Sequence, residues 1–270
     1  MNPGFTIIGA GGFVGRNLAR SLRADGAAVE DVLREDLPYL GGHLGHVIYT
    51  VGLTADFRQK PFETVDAHVS VLAALLKRIS YDSFFYLSTT RVYAGATTTA
   101  ENAQLTVSPS NPDHLYNVSK LMGESLCLSQ PQATCRVARL SNVIGLDDTS
   151  ENFLTSVIAE AQRSGNVSFR TAADSARDFI SIDDVCRLLP QIAMRGRARI
   201  YNVASGHNVS NGEIAQSLER LSGFKSSFAA GGATVSYPEI DTSLIRNEFG
   251  FEATPFEASL KRMLPQGQRA

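Results

Sequence analysis

Tyr116 and Lys120 stand four residues apart in "LYNVSK", residues 115–120, and that spacing has a chemical use. In a helix, residues i and i+4 lie one above the other on the same face. A tyrosine with a reference pKa near 10 is a poor base at neutral pH. Lowering it by about three units takes roughly 4 kcal/mol of preference for the phenolate. An ammonium about 4 Å away supplies about that much at an effective dielectric near 20, with desolvation opposing it. Tyr-x-x-x-Lys therefore suits proton transfer at a carbinol or carbonyl oxygen. The same spacing also describes two ordinary residues on the outside of a helix, so the neighbours matter.

Two other stretches bear on the choice. "SFFYLST" (83–89) is apolar until it ends in Ser88 and Thr89, with Thr90 next. A hydroxyl there can orient a substrate oxygen at the carboxyl edge of a sheet, where open α/β sheets bind ligands. Gly9, Gly12 and Gly15 of "GAGGFVG" form G-x-x-G-x-x-G. A diphosphate at a helix N-terminus is held by exposed backbone N–H groups and the helix dipole, and glycines let the backbone approach it. A glycine-rich turn with no ligand would show the same pattern.

The elements that must position these residues are legible around them. "FTII" (5–8) is a strand candidate, and after the glycines Val14, Leu18 and Leu22 recur every four residues with Arg16, Arg20 and Arg23 off the stripe. That pattern is strand, turn, amphipathic helix. "AAVEDVL" (27–33) is the second strand candidate. "HVIYTVG" (46–52) and "SFFYLST" are continuous apolar runs, as in strands buried on both faces of a parallel sheet. Helical patterns cover 65–79, 116–130, 153–165 and 211–223, "CRVARL" (135–140) is another strand, and 226–240 reads as loop and short strand. The alternation implies an α/β, doubly wound parallel sheet.

Composition narrows the class. The chain has 270 residues, 43% hydrophobic and 19% charged, with net charge −2. It can bury a substantial core, and without a basic block neither nucleic acid nor an anionic membrane is an expected partner. Cys127, Cys135 and Cys186 lack metal-type spacing, and their odd number argues against a disulfide framework. No metal is expected: His43 and His46 form H-x-x-H among Gly41, Gly42 and Gly45 without a third ligand, and are expected to be exposed turn residues. The apolar N-terminus lacks the basic region of a signal peptide. A cytoplasmic protein is the expectation.

Taken in order, "GAGGFVG", "HVIYTVGLT", "FFYLSTTRVYAG", "LYNVSKLMGE", "RVARLSNVIG", "RDFISIDDV" and "YNVASG" resemble an extended short-chain dehydrogenase/reductase of the NAD-dependent epimerase/dehydratase family. The resemblance covers most of residues 5–205. It implies a Rossmann-type domain over residues 1–145, to which 178–204 return, and a small C-terminal substrate-binding cap over 146–270. It makes Tyr116 the proton donor or acceptor, Lys120 the residue that lowers its pKa and meets the nicotinamide ribose, and Thr89 the hydroxyl on the reacting oxygen. Gly9, Gly12, Phe13, Val14, Gly15, Gly52, Leu53 and Ser88 match cofactor-lining positions, and Asn142 matches an asparagine that meets the substrate diphosphate. Arg177 lies in a motif near the substrate domain, or else forms an internal ion pair with Asp183 or Asp184. The helices 65–79 and 116–130 pair across a two-fold axis in the family's dimers, so a homodimer is expected.

Three departures from the family qualify this. Sugar 4,6-dehydratases of the family carry Asp-Glu after the catalytic threonine; here Thr90 and Arg91 stand there, which disfavours dehydration and offers Arg91 to an anionic substrate or to the protein surface. "LREDLPYLGGHLG" is too short for the usual further helix and strand, so one sheet edge should be trimmed. Arg34 follows the second strand, where an arginine favours the 2′-phosphate of NADP and an acid the ribose of NAD; Glu35 or Asp36 is the competing acid. The expected activity is NAD(P)-dependent oxidoreduction or epimerisation of a secondary alcohol or ketone, with a nucleotide-linked sugar as substrate. A reductase of small non-nucleotide carbonyls and a non-catalytic nucleotide-sensing protein are the alternatives.

Overall fold

The apolar runs become the strands of one parallel sheet. A computed structural model describes residues 4–53, 56–146, 148 and 152–264. Six strands, Gly4–Ile8, Ala28–Val32, His46–Tyr49, Ser83–Thr89, Cys135–Leu140 and Ile200–Val203, lie in the spatial order sixth, fifth, fourth, third, first, second. All five pairings are parallel. The strand order reverses beside Gly4–Ile8, the switch point at which such sheets open a crevice.

Both faces of the sheet are covered, which is why the central strands read as unbroken apolar runs. Ile7, Ile48, Phe85 and Leu87 pack with Leu18 and Leu22 of helix Phe13–Ala24 and with Val185, Leu188 and Leu189 of helix Ile182–Arg195. Ile8, Val47, Tyr49, Phe84 and Tyr86 face the other way, onto Leu72, Leu75 and Cys127. A separate core gathers Leu154, Val157 and Ile158 of helix Phe153–Ser164 with Phe179, Ile214, Leu218 and Leu260. Gly165 and Gly223 close their helices with φ of 71° and 72°, the left-handed stop that glycine takes without strain.

Ala28–Val32 is an edge strand of the six, and residues 33–41, too few for a further helix and strand, are mostly turn. The histidine expectation needs correction at His46. It is the first residue of a central strand, half-buried, with Nδ1 2.9 Å from the Ser83 hydroxyl and its ring 5.3 Å from that of Phe5. Flanking glycines suggested a turn, but pairing with Phe5 and Ser83 decides the backbone. His43 is exposed, on the short strand Gly42–His43, with Nε2 3.3 Å from Asp82.

The helix expected over 65–79 is Pro61–Val65 and Val71–Leu76 joined by a π-helical turn, Asp66–Ser70. Such a widened turn misaligns backbone groups. Here the Tyr49 hydroxyl donates to the Ala67 carbonyl at 2.6 Å and the Tyr86 hydroxyl to that of His68 at 3.3 Å. No helix among the described residues is long and apolar enough to cross a membrane.

Candidate active site

Helix Leu115–Leu128 begins beside the carboxyl end of strand Ser83–Thr89 and carries Tyr116 and Lys120 into the protein, where both are buried. The outer-face alternative is therefore excluded for this pair. Lys120 Nζ donates to the Leu87 carbonyl at 2.8 Å and lies 5.2 Å from the centre of the Tyr86 ring. Burial pushes its pKa down to about 7, against an opposing pull from Glu124. Tyr116 is enclosed by Phe57 at 5.4 Å, by the His68 ring edge-on at 5.4 Å, and by the Arg91 guanidinium at 5.1 Å from its ring centre.

Thr89 caps the turn Thr90–Tyr93: its hydroxyl oxygen accepts the Arg91 N–H at 3.2 Å, leaving the hydroxyl hydrogen for another acceptor. Ser88 donates to Glu124 Oε1 at 2.5 Å, so its hydroxyl serves the interior. Gly52 and Leu53 follow the strand His46–Tyr49 and reach the same place. A Cβ on Gly52 would lie 3.4 Å from Lys120 Nζ and 3.5 Å from His68 Nε2.

The glycine loop sits one strand over. Gly9 has φ 91°, its N–H donates to the Val32 carbonyl at 2.9 Å, and Gly15 is packed so closely that a Cβ would overlap the Gly9 carbonyl oxygen. Gly12 is the N-cap of helix Phe13–Ala24, with no side-chain cap and no acid in the first turn, and Phe13 and Val14 begin the helix. An exposed, uncapped helix N-terminus free of carboxylates suits an anion such as a diphosphate. Arg34 and Asp36 are exposed beyond the neighbouring strand, and Asp36 Oδ2 accepts the Leu33 N–H at 2.8 Å. These residues suit a dinucleotide: an anion-ready helix end, then a buried lysine and tyrosine two strands away.

Asn142 and Arg177 lie apart from that group, on paired strands Asn142–Ile144 and Ala176–Ser181. Asn142 Nδ2 donates to the Asp178 carbonyl at 2.7 Å. Arg177 stacks 3.9 Å over Phe153, and its buried Nε has no hydrogen-bond partner among the described residues. The ion-pair alternative for Arg177 fails: Asp183 pairs with Arg262 and Asp184 with Arg187. Arg91 packs on the rings of Phe57 and Tyr116.

Residues 42–204 match the sequence profile of the NAD dependent epimerase/dehydratase family. The chain belongs to that family. A curated relative, dTDP-glucose 4,6-dehydratase of Streptomyces griseus, is 28% identical over 184 residues, 63% of this chain and 53% of its own length. The chain thus spans about half the length of the curated relative it matches. Among solved structures, TunA, an NAD dependent NDP-hexosamine 5,6-dehydratase involved in tunicamycin biosynthesis, superposes with a TM-score of 0.82 at 20% identity, covering 97% of this chain and 96% of that one. RMD from Pseudomonas aeruginosa, complexed with NADPH, gives 0.78 at 24% identity, covering 97% and 98%. These likenesses carry the Rossmann-type fold.

In this family member a second set of residues supports the first and escaped the sequence reading. Glu124 receives Ser88 on one side and a bidentate Arg139 on the other, with Arg139 Nη2 2.7 Å from Oε2. Arg139 also donates to the Tyr93 hydroxyl at 2.7 Å, which donates to Asn202 Oδ1 at 2.7 Å. His68 is the other omission. Its Nε2 accepts the Leu53 N–H at 3.3 Å and its Nδ1 lies 2.8 Å from the Ser119 hydroxyl. One signal was available: Arg136 and Arg139 interrupt "CRVARL", a strand buried at every position, where a charge needs partners.

Proposed function

We propose that the chain is an NAD(P)-dependent oxidoreductase or epimerase acting on a secondary alcohol or ketone of a nucleotide-linked sugar, with Thr89, Tyr116 and Lys120 as its acid/base set. The observation that carries this reading is the buried Lys120 on the Tyr116 face of the helix, beneath Gly52, with the nearby Glu124 carboxylate engaged by Ser88 and Arg139.

A bound nicotinamide supplies the hydride donor or acceptor. Tyr116 holds the proton at the substrate oxygen, giving it up as a carbonyl is reduced and taking it as a carbinol is oxidised. The Lys120 cation favours the phenolate form that accepts this proton. Thr89, already an acceptor to the Arg91 N–H, directs its hydroxyl hydrogen to the same oxygen. Phe57 and His68 pack around Tyr116 and limit the water that would solvate the phenolate. Re-reduction of a retained ketone from its other face gives epimerisation; release of the ketone gives dehydrogenation. Thr90 and Arg91 supply no carboxylate for eliminating water, so dehydration is outside this reading.

Gly9, Gly12, Phe13, Val14 and Gly15 would hold the dinucleotide diphosphate, and Gly52, Leu53 and Ser88 would line the nicotinamide side. Arg34 would meet a 2′-phosphate, since Asp36 already caps the Leu33 N–H; this favours NADP. Asn142 and Arg177 would meet the substrate diphosphate and Arg91 another part of the substrate, with 146–270 as the substrate-binding region. In the cytoplasm the chain would form a homodimer through helices 61–76 and 115–128, where Phe62, Val65 and Met122 are exposed.

The test is Tyr116→Phe, assayed against nucleotide sugars with each dinucleotide. Turnover should fall by orders of magnitude, while melting shifts with saturating NADP(H) or NAD(H), about 2.7 kcal/mol at 100 times the dissociation constant, stay near wild type. Unchanged turnover would rule out the assignment.

A further inference from the structure

We propose that His68 is a positioning residue that fastens the Gly52–Leu53 segment to the helix bearing Tyr116 and Lys120. The inference rests on the reading above, in which Gly52 and Leu53 line the dinucleotide.

Three contacts meet on this one side chain, which is fully buried. Ser119 donates its single hydroxyl hydrogen to the Tyr116 carbonyl at 2.9 Å. The 2.8 Å contact between Ser119 Oγ and His68 Nδ1 must then be donated by the imidazole. Nε2 is left with a lone pair, and it faces the Leu53 N–H at 3.3 Å. Each bond has one hydrogen and one acceptor only if the ring is neutral and carries its proton on Nδ1. The third contact is the edge of the ring on Tyr116, 5.4 Å between centroids at 80°.

The surroundings enforce that state. Lys120 Nζ and His68 Nε2 converge on Gly52, 3.4 and 3.5 Å from where its Cβ would be, so a second cation would oppose the first. Burial and the charge of Lys120 hold the imidazole pKa down to about 2. The π-helical turn at Asp66–Ser70 sets the ring's position, with the His68 carbonyl held by Tyr86. A side chain that only filled the core would need no acceptor aimed at Leu53.

Asparagine and glutamine separate the two hydrogen bonds. The asparagine side-chain nitrogen reaches about as far as Nδ1 and keeps the Ser119 link. The glutamine oxygen reaches about as far as Nε2 and keeps the Leu53 link. Dissociation constants for NADPH and NADH are measured by nicotinamide fluorescence for wild type, His68→Asn, His68→Gln and His68→Leu, with melting temperatures in parallel. Binding should weaken about 5- to 10-fold in H68N and H68L, the worth of one hydrogen bond, and stay within about 2-fold in H68Q, whatever the order of melting temperatures. Equal affinities in all four proteins, or H68Q no better than H68L, would overturn the proposal. Absence of dinucleotide binding by wild type would instead remove the cofactor reading on which it stands. Nitrogen-15 chemical shifts of His68 in the unmodified protein give a check that needs no variant: a neutral ring protonated on Nδ1 supports the proposal, and one protonated on Nε2 refutes it.

Discussion

Replacing Lys120 by methionine keeps an unbranched side chain one atom shorter and removes its charge, which isolates what burying that charge costs. The folded pKa of about 7 against an ordinary 10.5 means that the native state holds fewer protons than the unfolded chain between those values. Unfolding therefore takes up a proton in this window, and stability rises with pH from about 7 to about 10.5. A gap of about 3.5 units at about 1.4 kcal/mol per unit amounts to about 5 kcal/mol across the window. Methionine escapes that penalty but leaves the Leu87 carbonyl without the Lys120 donor, at a cost of about 1–3 kcal/mol. The net expectation is a variant more stable than wild type by about 2–4 kcal/mol at pH 6–7, with the advantage vanishing or reversing near pH 10.5. Urea unfolding of both proteins from pH 6 to 10.5 measures this. Thiols and phenols common to both drop out of the difference. A difference that does not change with pH, or a methionine variant less stable at pH 7, would refute the argument that Lys120 is held against its charge.

Two further predictions concern the support beneath the site. Glu124→Gln leaves the Arg139 cation buried without its carboxylate and should cost about 3–5 kcal/mol in denaturant unfolding, whereas replacing both by apolar residues of similar volume should recover most of the loss. A single-variant cost below about 1 kcal/mol would show that the ion pair is not what holds Ser88 and Tyr93 in place. Gly123→Ala puts a Cβ close enough to overlap the Tyr86 ring and hydroxyl and 2.9 Å from the His68 carbonyl oxygen. The helix must then move off the sheet, and stability should fall by about 1–3 kcal/mol, read as a lower melting temperature.

The sheet was legible because its physics is local. A strand buried on both faces has to be apolar at nearly every position, as Phe84, Phe85, Tyr86 and Leu87 are, and a tight turn from strand into helix has to be glycine-rich, as Gly9 to Gly15 is. The helix face bearing Tyr116 and Lys120 was legible for the same reason, since i and i+4 coincide without reference to the rest of the chain. What escaped is non-local. His68 finds Leu53 fifteen residues away and Ser119 fifty-one away. Tyr93 finds Asn202 at a separation of 109. No periodicity encodes such partners. His46 was misplaced for the converse reason: the glycines around it are a true local signal, and strand pairing overrode it.

The stripe that begins with Tyr116 and Lys120 continues one turn further to Glu124, and this third member bears on how the proposed pair would work. A carboxylate free to pair with Lys120 would neutralise the ammonium and weaken its effect on the tyrosine. Glu124 is instead occupied on both oxygens by Arg139 and receives Ser88 as well. Its charge is answered largely from the sheet side, and its remaining pull on Lys120 is outweighed by burial, which holds the lysine, bonded to the Leu87 carbonyl, at a pKa of about 7. A cation so poorly compensated gains more than an exposed one from any anion formed beside it, because the low-dielectric surroundings that penalise it alone also strengthen its pairing. In the proposed mechanism the Tyr116 phenolate would be such an anion. In the proposed acid/base set the Glu124–Arg139 pair would thus do more than brace the helix: by occupying the Glu124 carboxylate, it would preserve the lysine's capacity to lower the tyrosine pKa.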